Sequence, residues 1–228
     1  MAFSLKINDS NVSINSNTAV SHAITTTGAN LYVVGVVTNG SVSATITDSL
    51  GTNTYTSLTS YANSGTICQL FYAKNANAGV NMTFTATATG GHPTIFVQAW
   101  GGADLTAPFD QQNGNTAASG TTYQPGSVTP GSANELIVSL LFGAGSGTTT
   151  IDSSFTISDQ LASTANAMAG GMAYLIQTSA AAVNPTWTRG GIGNVGPASI
   201  ATFKIPVTAI FLPQRLAFNQ AVNRAATY

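Results

Sequence analysis

Residues 31–38 read LYVVGVVT and residues 136–140 read LIVSL, and these two apolar runs decide the fold. Both are rich in Val, Ile and Leu, a composition typical of β-strands. Turn-forming pairs lie beside them, because Asn39-Gly40 follows the first run and Pro130-Gly131 precedes the second. We therefore expect two matching strands, displaced along the chain by 105 residues.

The rest of the sequence extends the same pattern outward from these runs. Apolar and polar residues alternate with a period of two, and clusters of Gly, Asn, Ser and Pro separate the segments. Further candidate strands cover residues 42–47, 67–73, 82–88, 94–100, 155–158, 172–177, 185–188 and 198–205. Many short strands at regular spacing predict an all-β fold, an antiparallel β-sandwich that is jelly-roll-like.

The two halves of the sequence repeat one another. Beyond the opening runs, the matched positions are Tyr72 and Tyr174, Phe84 and Trp187, and Ile95 and Ile200. Since their offsets stay between 102 and 105 residues, we expect repeat-like halves at about residues 30–110 and 134–206. We expect them to form a single domain over residues 1–206, in which the halves supply the two sheets of one sandwich.

The pattern changes after Pro206, so residues 207–228 are expected to form a C-terminal arm. Apolar residues at 218, 221, 222 and 225 have the spacing of one helical face, which favours a short helix over residues 214–226. So short a helix is marginal alone, and we expect the arm to pack on its own sandwich or on a neighbouring subunit. The candidate partner-binding residues of the arm are Arg215, Phe218, Val222 and Arg224.

Charged residues are scarce and unevenly placed. The 228 residues include six basic and seven acidic side chains, 6% of the chain, whereas an ordinary soluble domain is about 25% charged. This composition disfavours a long coiled coil and a nucleic-acid-binding protein. Residues 1–159 hold two basic and all seven acidic side chains, whereas residues 160–228 hold four basic ones. The basic C-terminal third is therefore a candidate docking region.

Catalytic and metal-binding groups are equally scarce. Of the two histidines, His92 lies in a Gly-Gly-His-Pro segment that is typical of a solvated turn. Asp48 and Asn53 flank a glycine as in a calcium loop, but the segment has too few carboxylates, which favours a simple turn. The single cysteine, Cys68, is expected to be a small buried hydrophobe. We predict no enzymatic activity, no cofactor and no metal.

Carbohydrate binding remains an alternative, because hydroxyl and amide groups are abundant. A glycan site also needs exposed aromatic platforms. Phe84 and Trp187 are flanked by threonines at matching positions, which is typical of core residues. Tyr55, Tyr61 and Tyr123 lie in turn-rich stretches and are the candidate glycan platform.

The sequence also gives expectations about the cellular compartment. The N-terminal residues MAFSLK lack a basic segment followed by an apolar stretch, so no signal peptide is predicted. No apolar run approaches the roughly 20 residues that cross a bilayer. We therefore expect synthesis in a cytoplasm, no transmembrane segment and no membrane partner.

Five motifs resemble a recurrent β-sandwich module of uncharacterised bacterial secreted proteins and phage structural proteins. They are TDSLGTNTYT at 47–56, LFYAKN at 70–75, VQAWGG at 97–102, PFD at 108–110 and NEL at 134–136. The resemblance covers about residues 30–205. It departs from the module where Trp100-Gly-Gly replaces an aromatic-Ser-Gly sequence and where Thr52 is an extra residue.

The resemblance implies a fold more than an activity, since no catalytic residue belongs to the module. Members of the module usually carry export signals or fused domains, and neither is expected here. The resemblance therefore implies a phage virion structural protein made in the host cytoplasm, such as a capsid decoration or tail-associated subunit. Its partners would be other copies of itself, as a homo-oligomer, and other virion proteins. The alternative is a carbohydrate-binding or host-attachment module with surface glycans as partners.

Overall fold

A computed structural model describes residues 2–13, 16–40, 42–116, 120–143, 148–162, 169–189 and 196–206. Strands, bridges and turns make up these ranges, and no helix occurs in them. Accordingly, they contain no helix long and apolar enough to cross a membrane. The C-terminal arm, with Arg215, Phe218, Val222 and Arg224, lies outside the described residues.

The described chain folds into seventeen strands. The first nine are β1 (Ser4–Val12), β2 (Thr18–Val20), β3 (Leu31–Asn39), β4 (Thr45–Asp48), β5 (Thr56–Ser57), β6 (Tyr61–Asn63), β7 (Thr66–Lys74), β8 (Phe84–Thr87) and β9 (His92–Gly101). The other eight are β10 (Phe109–Thr116), β11 (Thr122–Tyr123), β12 (Glu135–Gly143), β13 (Thr149–Ile151), β14 (Thr156–Leu161), β15 (Ala169–Gln177), β16 (Trp187–Arg189) and β17 (Pro197–Phe203). The strands pair antiparallel, which confirms the predicted all-β class.

The two halves build the same pair of sheets. In the first half, a large sheet has the order β1-β9-β3-β7-β5, with β6 also paired to β7, and a small sheet has the order β2-β8-β4. In the second half the large sheet is β10-β17-β12-β15-β14 and the small sheet is β11-β16-β13. Apart from β6, which has no counterpart in the described second half, the strand order of the sheets is the same in both halves. The jelly-roll character of this order stays a prediction.

The repeat starts earlier than the sequence indicated. Its first strands are β1 and β10, which pair with β9 and β17 at the sheet edges. Both are polar and mostly half-exposed, with sequences SLKINDSNV and FDQQNGNT. They therefore lack the apolar alternation from which the starts near residues 30 and 134 were predicted.

The sheets stack in four layers with three cores between them. Leu31, Val33 and Val37 of β3 point into a central core between the two large sheets. The alternate residues Tyr32, Val34 and Val36 point into an outer core beneath the small sheet β2-β8-β4. The second half is built alike: Leu136, Val138 and Leu140 are central, and Ile137 and Leu141 lie beneath the small sheet β11-β16-β13.

This layering differs from a single two-sheet sandwich. The large sheets do face each other as the sequence predicted, but each is also covered on its outer face. The physical reason is that the central strands are apolar on both faces, so each face must be buried against another layer.

The edges of the two large sheets meet at two seams. At one seam, Asn8 of β1 donates a hydrogen bond through Nδ2 to the Ser158 carbonyl oxygen of β14, at 2.8 Å. At the other, Gln112 of β10 donates through Nε2 to the Thr59 hydroxyl and accepts from the Thr59 backbone N–H, both at 2.9 Å. The first seam joins β1 of the first half to β14 of the second half. The other seam joins β10 of the second half to the segment that follows β5 in the first half. Side-chain hydrogen bonds therefore connect the edges of the two large sheets.

Predictions about single residues are confirmed for three buried side chains and wrong for one histidine. Phe84, Trp187 and Cys68 are fully buried, as expected. Burial raises the pKa of the Cys68 thiol to about 12, so the sulfur is not a reactive thiolate. The solvated-turn prediction for His92 is wrong, because His92 begins β9 and pairs with Asn39 of β3.

We predict that Gly35→Ala will destabilise the central core. A Cβ atom at Gly35 of β3 would lie 2.7 Å from Cδ1 of Leu140 in the facing sheet. Overpacking of this kind lowers the free energy of unfolding by about 1–3 kcal/mol, and Leu140→Ala alone by about 2–5 kcal/mol. The double variant should lose less than the sum of the two, because the shortened residue 140 makes room for the new methyl group. Urea unfolding followed by tryptophan fluorescence measures all three variants; strictly additive losses would contradict the contact.

Candidate functional site

The motif at residues 47–56 folds into a turn organised by Asp48. The Oδ1 atom of this carboxylate accepts hydrogen bonds from the backbone N–H groups of Leu50 and Gly51, at 2.9 and 3.1 Å. The Oδ2 atom accepts from Asn53 Nδ2 at 2.9 Å and from the Tyr55 hydroxyl at 2.7 Å. Gly51 has a φ of 67°, which glycine adopts without strain. Because its oxygens are engaged by four donors, Asp48 acts as the centre of a turn.

This turn is tied to the end of the LFYAKN motif. The Asn77 backbone N–H donates to Asn53 Oδ1 at 2.7 Å, and Asn53 Nδ2 returns a bond to the Asn77 carbonyl oxygen at 3.2 Å. Asn77 Nδ2 also donates to the hydroxyl of Thr52 at 3.1 Å. From below, the buried Tyr32 hydroxyl donates to the same Asn77 carbonyl at 2.9 Å. The turn and the segment that follows the LFYAKN motif thus form one hydrogen-bonded unit, in which the extra Thr52 takes part.

An open groove of about 450 Å³ runs beside this unit. Its lining is mostly amide and hydroxyl groups, and we call it the Asn–Thr groove: Thr52, Asn53, Thr54, Thr56, Lys74, Asn75, Asn77, Leu105 and Thr106. The Lys74 ammonium donates to the Thr106 carbonyl oxygen at 2.5 Å, so the one cation of this lining is bonded across it. Neutral hydrogen-bonding groups therefore dominate the groove.

Exposed apolar side chains flank the Asn–Thr groove. Leu105 in its lining is 51% exposed, and nearby Leu50 and Val80 are 40% and 69% exposed. Leu50 lies beside the loop that carries Val80, since a Cβ atom on Gly79 would be 3.4 Å from Leu50 Cδ1. In the described ranges, Val20 is the remaining large hydrophobic residue with comparable exposure. The end of the first half with the groove therefore concentrates the accessible apolar surface.

The three tyrosines predicted as a glycan platform lie apart, in three different environments. Tyr123 is wrong as a platform residue, because it is only 2% exposed and belongs to the outer core of the second half. Tyr55 is half-buried against the outer core of the first half, with its hydroxyl on Asp48. Tyr61 packs against the backbone of Gly114, where a Cβ atom would be 2.1 Å from its ring. None of the three is fully exposed, since Tyr55 and Tyr61 are half-buried and Tyr123 is buried.

All seven acidic side chains of the sequence accept a hydrogen bond from a backbone N–H. The donors are His22 for Asp9, Leu50 and Gly51 for Asp48, Thr106 and Ala107 for Asp104, Gly131 for Asp110, Ser132 for Glu135, Thr186 for Asp152 and Gln160 for Asp159. Charge-assisted bonds of this kind are stronger than neutral ones. Six of the seven acids therefore hold turns and loops in place, whereas Asp159 and its donor Gln160 both lie in β14.

Three of these acids, Asp104, Glu135 and Asp152, have shifted pKa values. Burial acts to raise the pKa of Asp152, but hydrogen bonds from Thr186 and Ser153 outweigh it, so the pKa is lowered. The backbone hydrogen bonds from Ala107 and Thr106 lower the pKa of exposed Asp104. Burial raises the pKa of Glu135, which is fully buried in front of the Ser132 turn. Asp110 raises the pKa of Glu135 further, because a second negative charge nearby disfavours ionisation.

One histidine is held by a carboxylate, an arrangement that sequence reasoning did not find. His22 Nδ1 lies 3.0 Å from Asp9 Oδ1, and its side chain is 70% exposed. The neighbouring Ser21 hydroxyl donates to the His22 carbonyl oxygen, so it is turned to the backbone and not to the ring. Across the described ranges, no cluster of three or more His, Cys, Asp or Glu side chains could hold a metal ion.

The basic C-terminal third does not form a surface patch in the described ranges. Lys204 faces Asp110, with its Nζ 3.7 Å from Oδ1. Arg189 belongs to the docking region predicted from the sequence, but it is only 3% exposed and lies beneath the surface. Arg215 and Arg224 lie outside the described residues. Nothing in the sequence around Arg189 indicates that this side chain is buried.

We predict that Tyr55→Phe will lower the free energy of unfolding by about 1.5–3 kcal/mol, the range for a hydrogen bond to a charged group. The change removes the donor to Asp48 Oδ2 and keeps the ring. Tyr61→Phe is the matched control and should stay within about 0.5 kcal/mol, as surface changes generally do. Urea unfolding of both variants checks the difference; equal effects would contradict the role of the Asp48 turn.

The fold and the groove can be set beside what is known of other proteins. No protein-family model matches the sequence, and neither a curated protein nor a solved structure matches it. The resemblance to the bacterial and phage β-sandwich module therefore rests on the quoted motifs alone and stays a prediction.

Proposed function

We propose that the protein is a structural subunit of a phage virion, a capsid decoration or tail-associated component. It acts by assembly and binding, with other copies of itself and other virion proteins as partners. The observation that carries this proposal is the use of the charged groups: every acid accepts a hydrogen bond from a backbone N–H, and six of the seven do so from a residue in a turn or loop. A scaffold built in this way presents preorganised loops to a partner, which lowers the ordering cost of binding.

The surface around the Asn–Thr groove supports assembly. Leu50, Val80 and Leu105 provide apolar area whose burial contributes roughly 25 cal/mol per Å². The groups between them are hydroxyls and amides, and these are cheaper to remove from water than charges. We therefore place the contact between subunits at this end of the first half. The resemblance to phage structural proteins supplies the kind of particle.

We predict that the double variant Val80→Asp/Leu105→Asp will lose self-association. New carboxylates in a closed contact would have to be buried without partners, which is strongly unfavourable. Sedimentation velocity should show the parent chain as an oligomer and the variant as a monomer. Val20→Asp is the matched control, since Val20 is 41% exposed and lies away from the groove lining. A monomeric parent, or a variant that sediments like the parent, contradicts this placement.

Two further experiments test the role of the arm and the virion assignment. Deletion of residues 207–228 should shift the oligomer distribution of the full chain, and an unchanged distribution would contradict the arm as an assembly element.

Mass spectrometry of density-gradient-purified phage particles should find peptides of this chain at a fixed ratio to the major capsid protein. Peptides confined to the soluble lysate would contradict a virion role.

The second candidate function is glycan binding, for host attachment, and the Asn–Thr groove favours it. The exposed amide of Asn75 and the hydroxyl of Thr54 lie in an open groove with an exposed apolar residue, Leu105. Ligand sites commonly combine apolar surface with a few polar groups that fix orientation. This groove takes the place of the three separate tyrosines as the candidate glycan surface.

We predict that, if the groove binds glycans, Asn75→Gly will reduce binding on a glycan array by about tenfold, the equivalent of one hydrogen bond. Glycine keeps the positive φ of 46° and removes only the amide. The matched control is Asn134→Gly, the same change at an exposed residue with a φ of 64° in the other half. The absence of any signal from the parent protein would retire the glycan function.

A further inference from the structure

Arg189 occupies a position that the first half fills with an apolar side chain. The strand pairings align β16 with β8 so that Trp187 matches Phe84 and Arg189 matches Ala86. Ala86 pairs with Ile46 of β4, whereas Arg189 pairs with Thr149 of β13. Both Ala86 and Arg189 are buried, at 0% and 3% exposure. The repeat folds with alanine at this position, so the fold itself does not require a charge there.

Smaller residues beside Arg189 open a space in the second half. Gly143 and Ala169 pair at the end of β12 and β15, where the first half pairs Thr38 with Ile67. A cavity of about 170 Å³ results, with Arg189 in its wall. The other walls are both polar and apolar, including Thr149, Gln160 and Leu161. The arginine and the space for a ligand therefore occur together in the second half.

The Arg189 guanidinium lacks a counter-charge within the described chain. Its Nη1 atom is buried and has no hydrogen-bond partner there, and it lies 3.1 Å from the position of a Cβ on Gly143. None of the described lining residues is acidic. The seven acidic side chains of the sequence all lie in the described ranges, where each accepts a backbone N–H and none forms an ion pair with Arg189. A buried charge without a partner is unfavourable, so an anion in the cavity would stabilise the folded state.

We propose that this cavity binds a small monocarboxylate, whose oxygens accept hydrogen bonds from Arg189. A carboxylate matches the planar fork of a guanidinium, and a single negative charge matches the single cation of the described lining. Leu161 and Ala169 provide apolar walls for a short hydrocarbon chain. The same chemistry has two sources, a free aliphatic acid and the carboxyl terminus of a polypeptide. This inference does not depend on the proposed virion role.

The first test measures thermal unfolding of the full chain at fixed ionic strength with increasing sodium butyrate. The midpoint should rise with butyrate in a saturable way, because the ligand binds only the folded state. Butyramide, which has the same shape without the charge, should have no effect. Arg189→Met should abolish the response, whereas the control Lys204→Met should keep it, since Lys204 faces Asp110 and is absent from the cavity wall.

A second variant keeps the proposal testable if Arg189→Met fails to fold. Gly143→Ala places a methyl group against the guanidinium Nη1 and should weaken the butyrate response at least tenfold in apparent affinity. To separate the two sources, N-acetyl-Thr-Tyr, with the last two residues of the chain, and its amide are titrated in the same way. A response to butyrate indicates a free acid, and a response to the peptide acid alone indicates a chain terminus. The proposal is overturned if neither carboxylate shifts the midpoint, or if Arg189→Met or Gly143→Ala responds like the parent chain.

Discussion

The central strands β3 and β12 are apolar on both faces, and the rest of the structure depends on burying both. Leu31 and Val33 of β3 enter the central core, and the alternate residues Tyr32 and Val34 enter an outer core. A two-layer sandwich would leave one of these faces in water. The chain solves this by repeating a large sheet with its own small sheet and by placing the two large sheets face to face, which yields four layers.

This architecture leaves the few charged groups with a structural task. The apolar residues of the strands are buried between the four layers, and long loops must connect strands that lie in different sheets. Asp48 and its counterparts hold such loops by accepting hydrogen bonds from backbone N–H groups, and these bonds are strengthened by the carboxylate charge. The hydroxyls and amides that cover the remaining surface are compatible with contact to another macromolecule, because they lose less hydration energy than charges. A binding or assembly role is consistent with charged groups that hold loops and neutral polar groups that cover the surface.

The comparison of the two halves separates residues that the fold needs from residues that serve something else. Phe84 and Trp187 differ in size, yet both fill an outer core, so they belong to the fold. Ala86 and Arg189 do not share such a role, since one is apolar and the other carries a buried charge beside a cavity. The Asn–Thr groove lies in the first half, beside the turn in which Asn53 meets Asn77. Divergence between repeats is therefore where a specific function is best sought.

The all-β class, the repeat and the buried state of Phe84, Trp187 and Cys68 can be predicted from the sequence, because alternation and turn residues are local signals. The same signals miss β1 and β10, whose polar edge sequences carry little alternation. The burial of Tyr123, the position of Arg189 at a cavity and the contact between Asp9 and His22 become visible only in the folded chain. These facts depend on strands far apart in sequence that meet only after the sheets have paired and stacked. A residue's own neighbours along the chain carry no information about such contacts.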